Sequence, residues 1–382
     1  MTEFRRVLFR FVQSLALSHF RNYEKLDIRL DPGVNIFYGN NAQGKTNILE
    51  ALYMCATTKS HRGSKDKEMI HFGDDESHIR MQLKKDGVSH KIDMHLKKGR
   101  AKGVAVDGLP IRRSGELFGL AHMICFSPED LSMIKNGPAE RRRFIDMELC
   151  QLDKVYLHDL SDYNKTVNQR NNLLKQLQMN SSLKDTLDVW DIQLVRSGRR
   201  VISRRREFID KINTYLAPVH DKLTGGAEQI RMIYQPNVSE DIFEEKVFMN
   251  RDRDLLMKTT QTGPHRDDFT FEVGGIDIRR FGSQGQQRTA ALSLKLAEIN
   301  MVREIIHDDP VLLLDDVLSE LDSSRQNYLL DSISHIQTIM TCTGLDEFIE
   351  NRLSIDRIFK VTNGYAEPRE LPGEGIKQEA DR

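Results

Sequence analysis

The chain has 382 residues, 39% of them hydrophobic and 30% charged, with a formal net charge of −1 at pH 7. This composition excludes a disordered chain and favours a globular protein of two or three domains, while the near-zero charge names no partner. Four scattered cysteines without metal or CxxC spacing predict reduced thiols in a cytoplasmic protein, and no apolar run reaches the roughly 18–20 residues that span a membrane.

The first third of the chain predicts strands on both sides of one helix. Residues 14–29 alternate as two strands around a turn, and residues 33–39 form a short apolar strand that ends at a glycine. Residues 46–57 have the spacing of an amphipathic helix. Alternating segments between residues 78 and 106 predict antiparallel strands.

The middle of the chain, from about residue 127 to 257, has few glycines and many long polar side chains, and it is predicted to be mostly helical. Residues 141–206 contain 14 Lys and Arg against 8 Asp and Glu, an excess of six positive charges. One helical face in "RSGRRVISRRR" carries Arg196, Arg199, Arg200 and Arg204. This basic stripe is either a solvated helix face or a surface that contacts the phosphates of DNA.

Strands return after residue 257, as "DDFTFEV", a glycine turn and "IDIRRF". A helix over residues 289–306 and the apolar strand "PVLLLDD" follow, and the tail from residue 364 is rich in Gly, Pro and Glu. An α/β domain is therefore interrupted by a helical insertion. The predicted division is an α/β head over 12–126 and 257–363, a helical lobe over 127–256 and a disordered tail over 364–382.

The stretch "GNNAQGKT" fits the phosphate-binding motif G-x-x-x-x-G-K-[ST] and lies between an apolar strand and a helix, as that motif requires. Its glycines permit backbone conformations that turn N–H groups toward a polyphosphate, and the helix N-terminus adds its dipole. Lys45 is predicted to reach the β- and γ-phosphates, and Thr46 to give its hydroxyl to Mg²⁺. The predicted ATP-binding residues here are Gly39, Asn40, Asn41, Ala42, Gln43, Gly44, Lys45 and Thr46.

A second motif, "VLLLDDVLSELD", is a buried strand that ends in two aspartates. Asp315 suits a Mg²⁺ ligand that acts through water, and Asp316 lies where a general base or water-orienting residue is needed. Together with Lys45, these two carboxylates form the predicted catalytic set of an ATPase.

The loop "FGSQGQQRT" leads into the helix over 289–306 and offers a second place to bind an anion. Its Ser283, Gly285 and Gln286 resemble the S-x-G-Q part of the signature motif of ABC-type ATPases, and "SELD" resembles their D-loop. The resemblance implies that the signature of one head meets the phosphate-binding loop of another head across an ATP molecule.

Longer segments narrow the resemblance to one family. "HFRNYEKLDI", "GNNAQGKTNILEALY", "SHR", "FSPEDLSMIKNGPAERRRFID", "YNKTVNQRNNLLK", "TGPHRDDF" and "LLLDDVLSELD" together resemble the RecF family, bacterial recombination-repair ATPases related to SMC heads. The likeness runs from about residue 14 to 362. It implies a P-loop ABC-type ATPase head, a mixed sheet with an antiparallel β subdomain, interrupted by a helical lobe.

The resemblance also implies an activity and partners. These are ATP-dependent homodimerisation, binding of double-stranded and gapped DNA, weak ATP hydrolysis that acts as a switch, and work with RecO and RecR to load recombinase at single-strand gaps. Several positions depart from the wider pattern. Gly282 and Gln284 replace the leucine and first glycine of the signature, and Asp316 stands where most relatives have glutamate. Thr341, Cys342 and Thr343 stand where many ABC proteins carry a switch histidine.

Several features stay open at this point. The triple arginine 141–143 contacts either DNA or internal acids, and His61 with Arg62 either touches nucleotide or is structural. "GPHRDD" is expected to be a loop that braces the signature. An ATPase-linked nuclease is the alternative function, but it needs a further acidic or His/Asp metal cluster, and the sequence shows none outside the two motifs. A transporter ATPase is a weaker third interpretation.

Overall fold

The computed structural model describes residues 10–177, 185–344 and 354–370. Their contacts divide the chain into two compact units. We call the first, Met1–Glu129 with Glu298–Arg382, the head unit, and the second, Asp130–Ala297, the helical unit.

The strands of the described residues, in chain order, are β1 Arg10–Phe20, β2 Tyr23–Arg29, β3 Val34–Tyr38, β4 Glu76–Lys85, β5 Val88–Lys97, β6 Gly103–Val106, β7 Leu109–Pro110, β8 Met123–Phe126, β9 Ile230–Gln235, β10 Asp268–Val273, β11 Ile276–Asp277, β12 Val311–Asp315, β13 Thr338–Cys342, β14 Ile355–Thr362 and β15 Tyr365–Arg369.

The helices are α1 Lys45–Thr57, α2 Asp130–Lys135, α3 Pro138–Leu152, α4 Lys154–Gln176, α5 Thr186–Thr224, α6 Phe243–Met249, α7 Arg251–Met257, α8 Ile278–Phe281, α9 Gln284–Ile306 and α10 Ser323–Ile333. Short 3-10 turns lie at Asp66–Glu68, Ser114–Glu116, Pro264–Arg266 and Leu318–Glu320.

A largely parallel sheet forms the centre of the head unit, in the order β15-β14-β3-β13-β12-β8. Only β15 pairs antiparallel, with β14. Every residue of β8, β12 and β13 is buried, because a parallel sheet is covered on both faces. Because β3, β13 and β12 are parallel neighbours, their carboxyl ends lie side by side at one edge of the sheet. The phosphate-binding loop follows β3 at this edge, and Asp315 and Asp316 lie there at the end of β12.

A second sheet of the head unit is antiparallel, in the order β2-β1-β4-β5-β6-β7. Burial alternates along β4, so that one face contributes to the core and the other faces solvent. Strands β4 and β5 are joined by Asp86 and Gly87, whose φ angles of 50° and 82° fit the two-residue hairpin turn that the strand twist favours.

Buried arginines hold the helical unit together. Arg170 on α4 binds Asp191 on α5 and Asp254 on α7, each at 2.6 Å. Arg205 on α5 binds Asp146 on α3 and Asp267, both at 2.8–2.9 Å. Because a charge buried without a partner is costly, these bridges fix which faces of α3, α4 and α5 meet.

Most strands and helices predicted from the sequence are confirmed, including the hairpin over 14–29 and the helix that follows the phosphate-binding loop. Two predictions are wrong: "IDIRRF" is a strand only at Ile276–Asp277 and is helical at Ile278–Phe281, and the helix predicted over 289–306 already begins at Gln284. The disordered tail is wrong for Tyr365–Arg369, which pairs with β14; residues 371–382 lie outside the described residues. Residues 257–297, predicted to belong to the head, group with the helical unit, since β10 pairs with β9. Among the described residues, no helix is both long enough and apolar enough to cross a membrane.

Candidate nucleotide site

The phosphate-binding loop lies between β3 and α1, and its two glycines are required by close approach. Gly39 has φ 152° and a Cβ there would lie 2.3 Å from the carbonyl oxygen of Val361. Gly44 has φ 109° and a Cβ there would lie 2.5 Å from Nδ2 of Asn22. Any side chain at either position would therefore displace the loop or its support.

Lys45 opens α1 and folds back over the loop. Its Nζ donates to the carbonyl oxygens of Gly39 at 2.6 Å and Asn40 at 2.8 Å. Burial lowers the pKa of the Lys45 ammonium, while the charges of Asp316 and Asp315 act against that shift. The cation is thus held at the loop, within reach of any anion that the loop N–H groups bind.

Asp315, at the end of β12, is the meeting point of the two sequence motifs. Its Oδ1 accepts hydrogen bonds from the hydroxyl of Thr46 at 2.9 Å and from that of Thr341 at 2.7 Å. The two residues predicted to hold Mg²⁺ therefore touch each other. A carboxylate beside a hydroxyl is the oxygen donor set that Mg²⁺ prefers, so the residues present fit this ion.

Asp316 follows in the left-handed region, with φ 52°. Its N–H approaches the carbonyl oxygen of Thr341 at 3.2 Å and the Thr341 hydroxyl at 3.1 Å. Burial raises the pKa of the Asp316 carboxyl and the neighbouring charge of Asp315 adds to the rise, whereas Ser319 and Lys45 oppose it. A carboxylate with a raised pKa is better suited to accept a proton.

Three residues that the sequence interpretation did not assign hold the loop from outside. Asn22 Nδ2 donates to the carbonyl of Gln43 at 2.9 Å, and the hydroxyl of Tyr23 donates to that of Gly44 at 3.1 Å. The backbone N–H of Asn363 donates to Oε1 of Gln43 at 2.6 Å. Asn22 and Tyr23 lie in the family segment "HFRNYEKLDI", which was the one available signal.

His61 lies just beyond α1 and packs the edge of its ring against Tyr53, with centroids 5.7 Å apart. Within the described residues, neither ring nitrogen has a hydrogen-bond partner. Burial lowers the pKa of His61, opposed by the charges of Glu50 and Asp315. Arg62 is exposed and approaches Glu129 at 3.7 Å. Contact with nucleotide stays a prediction for both residues.

The predicted signature opens α9 in the helical unit. The N–H of Gln286 donates to Ser283 Oγ at 3.1 Å, and the N–H of Ser283 donates to Gln286 Oε1 at 2.9 Å. This reciprocal pair is a capping box at the helix N-terminus. Ser283, Gln284 and Gly285 are exposed, and Gln286 Nε2 donates to Glu228 at 2.9 Å.

Most of the predicted basic stripe on α5 is paired with acids or carbonyls. Arg200 binds Asp159 at 2.9 Å, Arg204 binds Glu207 at 2.8 Å, and Arg199 donates to the carbonyl of Glu240 at 3.0 Å. Arg196 is exposed. The side chains of these residues still reach solvent, but the guanidinium groups of Arg199, Arg200 and Arg204 already have partners within the chain.

The triple arginine on α3 points inward at its first two positions. Arg141 is 1% exposed and binds Asp268 through two nitrogens at 2.6 and 3.0 Å. Arg142 donates to the carbonyl of Asp267 at 2.6 Å. Of the two alternatives for this triplet, contact with an internal acid is therefore correct for Arg141, whereas Arg142 donates to a main-chain carbonyl and both alternatives stay predictions for it.

The "GPHRDD" loop braces the helices of its own unit. His265 Nδ1 lies 2.6 Å from the hydroxyl of Tyr163 on α4, and Asp267 accepts from Tyr234 at 2.6 Å as well as from Arg205. The loop thus contacts α3, α4, α5 and β9. Its Asp268 also approaches Arg279 on α8, the short helix before the signature, at 3.9 Å, and the expectation that the loop braces the signature stays a prediction.

Comparison with known proteins identifies the family. A family model described as the RecF/RecN/SMC N terminal domain matches residues 11–367. The DNA replication and repair protein RecF of Lachnoclostridium phytofermentans is 59% identical over 356 residues, which cover 93% of this chain and 99% of that protein. The chain belongs to the RecF family. RecF proteins are DNA replication and repair proteins, so the coarse functional prediction is confirmed.

Solved structures agree with the RecF assignment. The recombination mediator protein RecF with ATP, of the RecFOR pathway, aligns with a TM-score of 0.90 at 33% identity over 97% of this chain and 100% of that one. An Smc head domain from Pyrococcus furiosus aligns with a TM-score of 0.53 at 16% identity over 94% of this chain and 96% of that chain, a likeness of fold alone. The predicted fold, an ABC-type ATPase head with a helical insertion, is confirmed.

Proposed function

We propose that this protein is an ATP-gated, DNA-binding switch of recombinational repair. ATP bound by one copy joins it to a second copy on double-stranded DNA, and slow hydrolysis separates them. In this function the dimer marks gapped DNA and helps RecO and RecR to load recombinase. The RecF–ATP relative supports the nucleotide, and its RecFOR pathway supports the partners.

The observation that carries the proposal is the meeting of Lys45, Thr46, Asp315 and Asp316 at one edge of the central sheet. Residues 39–46 would bind the phosphates, with Lys45 neutralising the β- and γ-phosphate oxygens. Thr46 and Asp315 would hold Mg²⁺, which when bound offsets negative charge on the phosphates. The carboxylate of Asp316 would orient the attacking water and accept its proton.

The signature is proposed to act on the nucleotide of the other copy. Ser283 Oγ accepts a hydrogen bond from Gln286 but keeps its own hydrogen, which can be donated to a phosphate oxygen. The Gln286 amide gives one N–H to Glu228 and keeps a second. Exposed residues at the N-terminus of the long helix α9 thus present donors and the positive end of its dipole to an anion.

Sedimentation velocity, with and without ATP and duplex DNA, tests the switch. Wild type is expected to dimerise with ATP, whereas Lys45→Ala and Ser283→Arg are expected to stay monomeric. The conservative control is Thr343→Val, at an exposed site after β13, which should dimerise normally. Absence of an ATP-dependent dimer in wild type, or a normal dimer of Ser283→Arg, would rule out the two-copy site.

DNA contact by the basic stripe is tested separately. Binding of duplex DNA is measured at several salt concentrations for wild type and for a variant in which Arg196, Arg199, Arg200 and Arg204 are alanine. Each lost phosphate contact should flatten the logarithmic salt slope by about one. An unchanged slope would place the DNA surface elsewhere on the molecule.

One feature of the structure bears on the nuclease alternative. Outside the nucleotide site, the described residues bring Glu76, His78 and His95 together, although the sequence interpretation had found no such cluster. Glu76 already pairs with Lys97 at 2.9 Å, which leaves fewer free carboxylates than two-metal nucleases use. Cleavage of labelled duplex DNA in the presence of Mn²⁺, measured as loss of the full-length duplex, would support this alternative.

A further inference from the structure

Glu76, His78 and His95 lie on the solvent face of the antiparallel sheet in the head unit. One ligand atom from each lies within 4.8 Å of the others. Nε2 of His95 lies 3.2 Å from Oε2 of Glu76, and the two imidazole rings stack with centroids 4.2 Å apart and an angle of 7° between them.

The strand register explains why these side chains converge. His78 on β4 lies directly opposite His95 on β5, and Glu76 lies two residues along β4 on the same face. The hairpin closes at Lys85 and Val88, so the His78–His95 pair, seven steps from the turn, is a pair without backbone hydrogen bonds between its residues. Side chains approach most closely at such pairs.

The surroundings leave the cluster accessible. On the neighbouring strand β6, the residue opposite His95 is Gly103, which has no side chain to cover the ring. His78 and His95 also line a groove of about 480 Å³.

We propose that Glu76, His78 and His95 form a binding site for a divalent transition ion of the Zn²⁺ type. Two imidazole nitrogens and one carboxylate oxygen are a donor set typical of such ions, and the groove provides a fourth position for water or an anion. This site is independent of the nucleotide site and of the proposed function.

Neighbouring charged side chains affect how tightly this cluster can bind a cation. Lys97 pairs with Glu76 at 2.9 Å and must release that carboxylate when a cation binds. Arg80 is neutralised by Asp93 at 2.6 Å on the same face and adds little repulsion. Replacing the Lys97 ammonium by an apolar chain should therefore tighten cation binding.

Isothermal titration of the full chain with ZnCl₂, after removal of metal with chelator and in a buffer that does not coordinate zinc, tests the proposal. Wild type is expected to bind one equivalent of Zn²⁺. His78→Ala and His95→Ala are each expected to lower the affinity for this ion by about tenfold or more. Lys97→Met is expected to bind more tightly. His90→Ala is the matched control, since His90 also lies on β5 but pairs with a single acid, Asp107.

A tetrahedral Co²⁺ absorption band that disappears in the His78→Ala, His95→Ala double variant would support the site by a second measurement. Equal zinc affinity and stoichiometry in wild type and the double variant would overturn it. All substituted positions face solvent, so circular dichroism should show an unchanged fold.

Discussion

Thr341 contacts both acidic residues of the nucleotide site, a role that its position in the sequence does not indicate. Its hydroxyl donates to Asp315 Oδ1 and lies 3.1 Å from the N–H of Asp316. One side chain thus orients both acidic residues. Because β13 lies between β3 and β12, the residue at its end stands between the phosphate-binding loop and the acids.

Thr341→Val keeps the shape of the side chain and removes both contacts of the hydroxyl. We expect the turnover number for ATP hydrolysis to fall by about tenfold or more, and the free energy of unfolding to fall by about 1 kcal/mol. Steady-state hydrolysis and urea unfolding measure the two effects. Thr343→Val, at an exposed position two residues further on, is the control. If the two variants behaved alike in both measurements, the hydroxyl of Thr341 would have no specific role in the site.

Gly44 is a position where the phosphate-binding loop tolerates little change. Gly44→Ala would place a methyl group 2.5 Å from Asn22 at a φ of 109°, so ATP affinity should fall strongly, as measured by titration calorimetry. Gly73→Ala is matched in backbone conformation, with φ 98° and nothing within 4 Å of the added Cβ. If both variants bound ATP as wild type does, the Asn22–Gly44 contact would not support the loop.

The sequence predicted the phosphate-binding loop and the two aspartates because each lies in a contiguous motif with its own physical logic. It did not predict Asn22 or Asn363, whose contacts with Gln43 span 21 and 320 positions. It also overestimated the basic stripe, since the acid that pairs with Arg200, Asp159, lies 41 residues earlier on another helix. Long-range partners of this kind depend on strand order and helix packing, which local patterns do not contain.

At the scale of elements, the "GPHRDD" loop contacts α4 through a partly buried histidine, His265. His265 binds the hydroxyl of Tyr163 and the carbonyl of Thr260. Burial lowers the pKa of His265 to about 4, the Thr260 carbonyl opposes that shift, and nearby arginines add to it. The neutral imidazole is therefore the form that stabilises this contact.

The unfolded chain binds a proton at His265 below about pH 6.5, whereas the folded chain does so only near pH 4. Stability from this residue is therefore complete above pH 6.5 and is lost as the pH falls toward 4. Between pH 7.5 and 5, wild type should lose about 2 kcal/mol more than His265→Gln in urea unfolding. His158→Gln, at an exposed histidine of α4, should follow wild type; a wild-type curve parallel to that of His265→Gln would contradict the assignment.

At the scale of the whole molecule, the proposed ATP site needs two copies of the chain. Residues 39–46 and Asp315 belong to the head unit, and Ser283 with Gln286 belongs to the helical unit. In a twofold dimer, each of two equivalent sites would take one set of residues from each copy. Two different inactive variants can then restore each other.

Mixing Lys45→Ala with Ser283→Arg should recover ATP hydrolysis that neither variant shows alone. In a mixed dimer, the intact loop of one copy meets the intact signature of the other, while the second site carries both changes. Because neither variant is expected to pair with itself, the dimers of an equimolar mixture are mixed and each holds one intact site of two, so recovery can reach about half of the wild-type sites. A mixture as inactive as Lys45→Ala alone would show that the site is completed within one chain.

The capping box at the start of α9 has a kinetic consequence. Ser283 and Gln286 already hold each other before any second chain arrives, so the signature is folded in advance. Little conformational entropy is then lost at the encounter. In the proposed dimer, the rate at which two ATP-loaded copies join should be set by collision and orientation, and the lifetime of the pair by how quickly ATP is consumed.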